Sequence, residues 1–283
     1  LGGYEIHGRN GVVDAVAESE EEAMDMAKKF LSFMPNSIHS LPKKIETKDH
    51  SDRAESYLLN SIPKNKKESY DIFPIIDAIV DKKSFFEIGK FYGLSVVSGL
   101  ARLNGYPVIL LSNNPQVYGG GWTVDSSKKI IRILDLAQMF HFPVLNLVDN
   151  PGFVIGTHAE KAGTIRYGAK ALAAIYQTNI PTCTIILRKA FGVAGAAHVN
   201  HTKYRYRFAW PSGDWGSLPI KGGIEAAYKS ELLNSDDPEN LKKHLANKLE
   251  SFSSPFRSAE KFLIEDIIDP RSTRKKVCEW ISL

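Results

Sequence analysis

The chain has 283 residues, 43% hydrophobic and 24% charged, a composition that buries a large core and excludes wholesale disorder. No run approaches the roughly 18 consecutive apolar residues of a membrane span, and no basic segment followed by an apolar one marks the N-terminus for secretion. A net charge of +4, from 36 basic and 32 acidic residues, suits an anionic ligand without requiring a nucleic acid. Only two cysteines occur, Cys183 and Cys278, too far apart in sequence for a CxxC pair, which favours a reducing, cytoplasm-like compartment. The first residue, Leu1, is not Met, so a processed chain or a piece of a longer one is expected.

Residues 4–17 read as strand-like. Ser19, three positions before Glu22, has the capping-box spacing that opens a helix to about Phe33, where Pro35 ends it. From Asn36 to about Lys67 the chain turns polar, with Pro42, Pro63 and two lysine groups, which predicts a long connection and a domain boundary. A helix over 72–80 follows, then strands over 95–103 and 107–112 joined at Asn104-Gly105, the strongest short hairpin signal. Residues 126–140 place Ile130, Ile133, Leu134 and Ala137 on one helical face. A buried strand over 144–148, a turn at Asn150-Pro151-Gly152, a helix over 160–176, a strand over 182–187 and a glycine turn at Gly192 complete an alternation of strand and helix typical of crossover units. The last third is mainly helical, with apolar stripes Leu241, Leu245, Leu249, Phe252 and Val277, Trp280, Ile281.

Two turns follow buried strands and expose backbone amides near a helix start: 148–153 and 188–197. Ligands of open α/β sheets bind beyond the carboxyl ends of strands, and free N–H groups at such a place stabilise an oxyanion. The small residues 194–197 would let a ligand approach the backbone; tight helix-on-sheet packing explains them equally well. Three histidines, His158, His198 and His201, have no evident third-ligand geometry and favour packed or hydrogen-bonded roles over a metal. Gly119-Gly120-Gly121 lacks the Lys-Ser/Thr of a phosphate loop and reads as a turn or rim. The basic–aromatic alternation over 203–208 fits a half-buried strand better than a single-strand nucleic-acid binder. Lys64, Lys66 and Lys67 read as a solvated connection.

Several segments carry a resemblance: Phe85-Phe86-Glu87-Ile88, Gly99-Leu100-Ala101-Arg102-Leu103-Asn104-Gly105, Val148-Asp149-Asn150-Pro151-Gly152-Phe153, residues 163–170, Arg188-Lys189-Ala190-Phe191-Gly192, Ala209-Trp210-Pro211 and residues 265–270. In consistent order over nearly the whole chain, they resemble the carboxyltransferase subunit of biotin-dependent acyl-CoA carboxylases, the propionyl-CoA carboxylase β type above all. The resemblance implies an α/β, crotonase-like ββα superhelix, of which residues 1–42 are the tail of an N-terminal domain, 43–68 a linker and 69–283 the C-terminal carboxyltransferase domain.

It implies too that this chain supplies the biotin-facing half of a site that moves a carboxyl group from carboxybiotin to the α carbon of a short acyl-CoA, of the propionyl or acetyl kind. Both charged species of that reaction are oxyanions, which suits a sequence without a Gly-x-Ser-x-Gly nucleophile, paired catalytic carboxylates or a compact metal-ligand cluster. By position, the amides of Val193 and Ala194 would hold the biotin ureido oxygen. Gly152, Phe153, Phe191, Gly192 and Gly195 would line the biotin site, and Ala196 and Ala197 would leave room near the acyl group. The family type has Gly-Gly-Ala-Tyr after the aromatic residue where this chain has Gly192-Val193-Ala194-Gly195, and valine restricts φ as glycine does not.

The implied partners are acyl-CoA, a biotin carboxyl carrier, a biotin carboxylase subunit, the N-terminal carboxyltransferase domain and further copies in a hexamer-like homo-oligomer, with no metal, nucleic acid or membrane. The implied compartment is the cytoplasm, or the mitochondrial matrix in a eukaryote. A biotin-dependent decarboxylase, a stand-alone crotonase-like hydratase or hydrolase and a non-catalytic assembly module remain alternatives.

Overall fold

The computed structural model describes residues 2–198, 205–216, 224, 225 and 227–283. His201, Lys203 and Tyr204, and the side chain of Phe252, lie outside the described residues.

Among the described residues, eight strands form one sheet: β1 (Phe86–Glu87), β2 (Val96–Leu103), β3 (Tyr106–Asn113), β4 (Val144–Asn150), β5 (Thr182–Phe191), β6 (Arg205–Ala209), β7 (Asp214–Gly216) and β8 (Asp266–Ile267). Their order is β1-β2-β3-β4-β5-β6-β8, with β7 pairing the end of β5. The first three are antiparallel and the pairs from β3 onward are parallel. Asn104 (φ 49°) and Gly105 (φ 83°) make the two-residue turn between β2 and β3 as the Asn-Gly pair predicts, both residues taking the positive φ that the twist of a tight hairpin demands.

Parallel strands buried on both faces need cover on both. β4 sends Leu145 and Leu147 to one face, where α3 (Phe73–Ile79) and the last helix (Thr273–Ile281) pack through Ile76, Val277 and Trp280. The other face meets α4 (Val124–Phe140), α6 (Thr164–Gln177) and α7 (Gly192–Ala196). α4 starts two residues earlier than its apolar stripe suggests, because Thr123 and Ser126 cap it reciprocally: Thr123 Oγ1 accepts the Ser126 amide (3.1 Å) and Ser126 Oγ that of Thr123 (2.7 Å). The single helix expected over 160–176 is two, Thr157–Ala162 (α5) and α6, because Gly163 at φ 83° closes one and opens the next. Of the two C-terminal stripes, Val277 and Trp280 enter the core, whereas Leu241, Leu245 and Leu249 are only half-buried.

The strand expected over 4–17 is instead a short helix, α1 (Tyr4–Arg9), followed by a turn and extended backbone that joins no strand. Period-2 alternation makes a strand only where a partner edge exists, and here Gly3 O accepts the Ile6 and His7 amides instead. Helix α2 (Glu20–Phe33) is capped as predicted, Ser19 Oγ accepting the Glu22 amide at 3.1 Å, and it buries Phe33 under Leu100 and α4.

The long connection is ordered, with a 3₁₀ turn at Ser56–Asn60. It runs so close to the hairpin that a Cβ on Gly105 would lie 1.9 Å from Ile45 O. Arg274 ties this region together, donating to the carbonyls of His50, Ile79 and Asp49 and to the Asp81 carboxylate at 2.7 Å. Asp81 in turn accepts the amides of Asn104 and Gly105.

Candidate functional site

The parallel pairing of β4 and β5, which sets Asn150 beside Ala190, makes the two strands end together, so the turns that follow them are neighbours. After β4, Gly152 takes φ 116°, and a Cβ there would lie 3.7 Å from Phe191 O, so this turn touches the start of the next. Both backbone groups of Gly152 are engaged: its N–H donates to Asn150 Oδ1 (2.9 Å) and its C=O accepts the Trp122 amide (3.0 Å). The Phe153 ring packs between Trp122, 6.0 Å away, and α6, where a Cβ on Gly168 would come within 2.3 Å of it. Gly120, in the triple-glycine turn, leans on the same structure; a Cβ would meet Asp149 O at 2.4 Å. The triple glycine thus makes a turn, one of the two readings its sequence allowed.

After β5 the chain reverses through Gly192 at φ 61° into α7. A left-handed residue followed by helical ones turns successive N–H groups the same way, a concavity that accepts anions. The amides of Gly192, Val193 and Ala194 occupy the first turn, where no intrahelical acceptor exists, and the N-cap, Phe191, supplies no side-chain acceptor. The positive φ falls on Gly192, so Val193 sits in helical backbone that valine adopts without strain. Val193 and Ala196 face outward, Val193 58% exposed, whereas Ala194, Gly195 and Ala197 are turned into the body. A Cβ on Gly195 would lie 2.4 Å from the carbonyl carbon of Ala190, so only glycine lets α7 lie this close to β5.

Polar groups are buried beneath both turns. Asp149 is fully buried; Arg188 meets its Oδ2 at 2.9 Å and the Lys189 amide donates to Oδ1 at 3.0 Å. The Arg188 guanidinium also lies 4.8 Å from the Tyr70 ring centroid and donates to Glu68 O, tying the connection to the site. His198, just past α7, sits between Asn146 (2.7 Å to Nδ1) and Asn150 (3.0 Å to Nε2), edge-on to Trp122 at 5.4 Å. Burial, helped by the Arg207 charge, lowers its pKa to about 3, so the imidazole is neutral. A cavity of about 30 Å³ adjoins it, lined in part by Ser112, Asn146, Thr184 and Ala197.

The residues singled out in the sequence therefore meet at one place: Gly152, Phe153, Phe191, Gly192, Val193 and Ala194 line adjoining turns, with Ala196 beside them. Gly195 and Ala197 stand behind that surface. His198 has the hydrogen-bonded role expected of it, and His158 is exposed. Asn146 and Asn150 escaped sequence reasoning, although two asparagines four apart in one buried strand were a readable signal. Among the described residues no cluster of three His, Cys, Asp or Glu could hold a metal. Cys183 and Cys278 are buried thiols, and burial raises the pKa of Cys278 to about 11 and that of Cys183 further. No helix among the described residues is long and apolar enough to cross a membrane.

Sheet, helical layers and paired turns define a crotonase-like carboxyltransferase domain, and the chain belongs to the carboxyl transferase domain family, whose model matches residues 1–283. Its relatives include the propionyl-CoA carboxylase beta chain of Roseobacter denitrificans, 34% identical over 98% of this chain and 54% of that one. Another is the methylmalonyl-CoA carboxyltransferase 12S subunit of Propionibacterium freudenreichii subsp. shermanii, 32% identical over 100% and 54%. Among solved structures, transcarboxylase 12S, described as a hexamer with methylmalonyl-coenzyme A bound, superposes with a TM-score of 0.92 at 30% identity, over 99% of this chain and 54% of that one. A single-chain, multi-domain long-chain acyl-CoA carboxylase gives 0.82 at 27%, over 99% and 28%. The chain thus spans about half the length of the curated relatives it matches.

Proposed function

We propose that this chain supplies the biotin-facing half of a carboxyltransferase site that moves a carboxyl group between biotin and the α carbon of a short acyl-CoA such as propionyl-CoA. The observation that carries the reading is the pair of amides of Val193 and Ala194, without a side-chain cap in the first turn of α7 at the end of β5, in a chain whose whole length matches the carboxyl transferase domain.

Those amides suit a ureido oxygen: they need no counter-ion, stay fixed as charge develops and are each worth roughly 3 to 4 kcal/mol in comparable oxyanion sites. Biotin, when bound, supplies the transferable carboxyl group. Val193 and Ala194 would hold its oxygen. Gly152 and Phe153 would form the neighbouring wall, with the Gly152 N–H turned inward to Asn150, so this wall shapes the site and the Gly152 amide does not donate to it. Phe191, Gly192 and Gly195 would set the course of the backbone, and Ala196 and Ala197 would keep the acyl side small.

Residues 1–42 are read as the tail of a preceding crotonase-like domain and 43–68 as the linker to the domain of 69–283. Met24 (63% exposed), Leu31 (64%) and Leu41 (73%) support this, since they present apolar surface on a segment that already packs against the body. Acyl-CoA would be held by that preceding domain. A biotin carboxyl carrier and a biotin carboxylase would be partners, and the assembly a homo-oligomer of hexamer kind, in the cytoplasm or mitochondrial matrix.

The test is transfer from methylmalonyl-CoA to free biotin by a subunit containing this chain and its acyl-CoA half. Val193→Pro, which deletes one amide, should abolish transfer while the protein stays folded. Unchanged turnover would remove these amides from the mechanism, and failure of this chain to bind biotin or its carrier would remove the proposal.

A further inference from the structure

Beneath the two turns lies a chain of side chains that the oxyanion chemistry does not use: Asn146 on β4, His198 beyond α7 and Asn150 at the end of β4. Chemistry fixes the direction of their hydrogen bonds. Asn150 Oδ1 is taken by the Gly152 N–H at 2.9 Å, so the group it turns to His198 Nε2, 3.0 Å away, is its NH₂, and Nε2 accepts. A neutral imidazole accepts at one nitrogen and donates at the other. The proton therefore lies on Nδ1, and the Asn146 side-chain amide, placed with its nitrogen 2.7 Å from Nδ1, must be turned over to present its carbonyl oxygen, the two ends of such an amide being alike in shape.

Packing holds α7 against β5 at Gly195 but is incomplete just past it. The cavity of about 30 Å³ borders Ala197 and His198, so the underside of the segment just past α7 lacks close-packed neighbours on one side. The same helix leads with the amides proposed to hold an oxyanion, and the other end of the hydrogen-bonded chain is the Gly152 amide. A second route joins the same two points: the Trp122 amide donates to Gly152 O while the Trp122 ring meets His198 edge-on.

We infer that Asn146, His198 and Asn150 are positioning residues, a one-way hydrogen-bond relay running from Gly152 N–H through Asn150 and His198 to Asn146 that locks the Gly152 wall to α7. The inference rests on the carboxyltransferase reading for its consequence, though not for its geometry.

¹⁵N-histidine NMR of the full chain tests the relay without any activity, the His198 signal being identified by its loss in His198→Phe. The wild-type ring carries its proton on Nδ1. Asn150→Asp, which offers Nε2 an acceptor where it had a donor, moves a proton onto Nε2, while Asn146→Asp, which keeps the acceptor opposite Nδ1, leaves the tautomer as it was. A wild-type Nε2–H tautomer, or one indifferent to Asn150→Asp, overturns the relay. In the transfer assay, Asn150→Leu and His198→Phe lower kcat about 100-fold, the scale of a misplacement of about 1 Å, with KM for acyl-CoA little changed. Wild-type kcat in Asn150→Leu with its fold intact would show that the relay positions nothing. A wild-type assembly without transfer would refute the carboxyltransferase reading instead, and the tautomer would still decide the relay.

Discussion

At the hairpin end of the sheet Arg274 pairs with Asp81 at 2.7 Å, and at the carboxyl ends of β4 and β5 Arg188 pairs with Asp149 at 2.9 Å. Both pairs are buried and both aspartates also accept backbone amides, so their local chemistry is nearly the same. Their surroundings differ. Arg274 spends its remaining donors on carbonyls of the connection and α3, closing contacts between distant parts of the chain around well-packed isoleucines. Arg188 and Asp149 lie under turns with a cavity and an Asn–His–Asn chain nearby. The hairpin end is organised for cohesion; the other end places polar groups and empty space where a ligand-facing surface must be held in shape.

Substitutions at the two ends should separate these roles. Arg274→Met leaves Asp81 as an unpaired buried charge and should lower unfolding free energy by about 3 to 5 kcal/mol in denaturant titration. In whatever folded fraction remains, biotin binding should be unaffected. Asp149→Leu should cost a similar amount, yet should also abolish biotin binding, because the Lys189 amide and Arg188 lose their acceptor directly before Phe191; retained binding would show that the two pairs are equivalent. Gly195→Ala pushes a methyl into the backbone of Ala190 and should cost about 1 to 3 kcal/mol, with a disproportionate loss of transfer because α7 must move.

Acid should reach the two ends at different pH. His198 has a folded pKa below that of the unfolded chain, so its share of stability is complete above about pH 6.5 and is lost toward pH 3 at about 1.4 kcal/mol per pH unit. His198→Phe should flatten that limb of the stability curve. At the hairpin end, burial alone would raise the Asp49 carboxyl, but Arg53, the Lys82 amide and Arg274 outweigh it and hold its pKa below the usual range. That contribution is present above the ordinary carboxylate pKa of about 4 and disappears only as pH falls through the lower folded value. The smallest effect should come from Ser19→Ala, about 1 kcal/mol for one helix cap.

The elements whose signals are local were legible. Asn104-Gly105, the Ser19 cap and the stripe from Ile130 to Ala137 each depend on residues within one or two turns of one another. The failures share a cause. Residues 4–9 alternate like a strand, but they pair with no strand and close helical hydrogen bonds among themselves, and Gly163 divides a helix whose apolar periodicity continues across it. At the site, the glycines and alanines of 192–197 were readable as a close approach of backbone, while their division into an outward set and an inward set depends on Ala190, contributed by the preceding strand. The Asn146–His198–Asn150 relay joins residues about 50 positions apart; the two asparagines of β4 mark a polar strand, but nothing in either segment alone names His198 as their partner.

The bonds of Arg274 bear on how the molecule is made as well as how it is held. Its partners His50 and Asp49 precede it by more than 220 residues, and Asp81 by 193. During synthesis, at roughly 5 to 20 residues per second, the carboxylate of Asp81 and the carbonyls beside it wait on the order of ten seconds or more for the guanidinium that completes them. Until the last helix leaves the ribosome, the face of the sheet carrying Leu145 and Leu147 also lacks its Val277 and Trp280 cover. Removal of residues 273–283 should therefore yield a chain dependent on chaperones, the region from Asp49 to Asp81 unable to settle without Arg274.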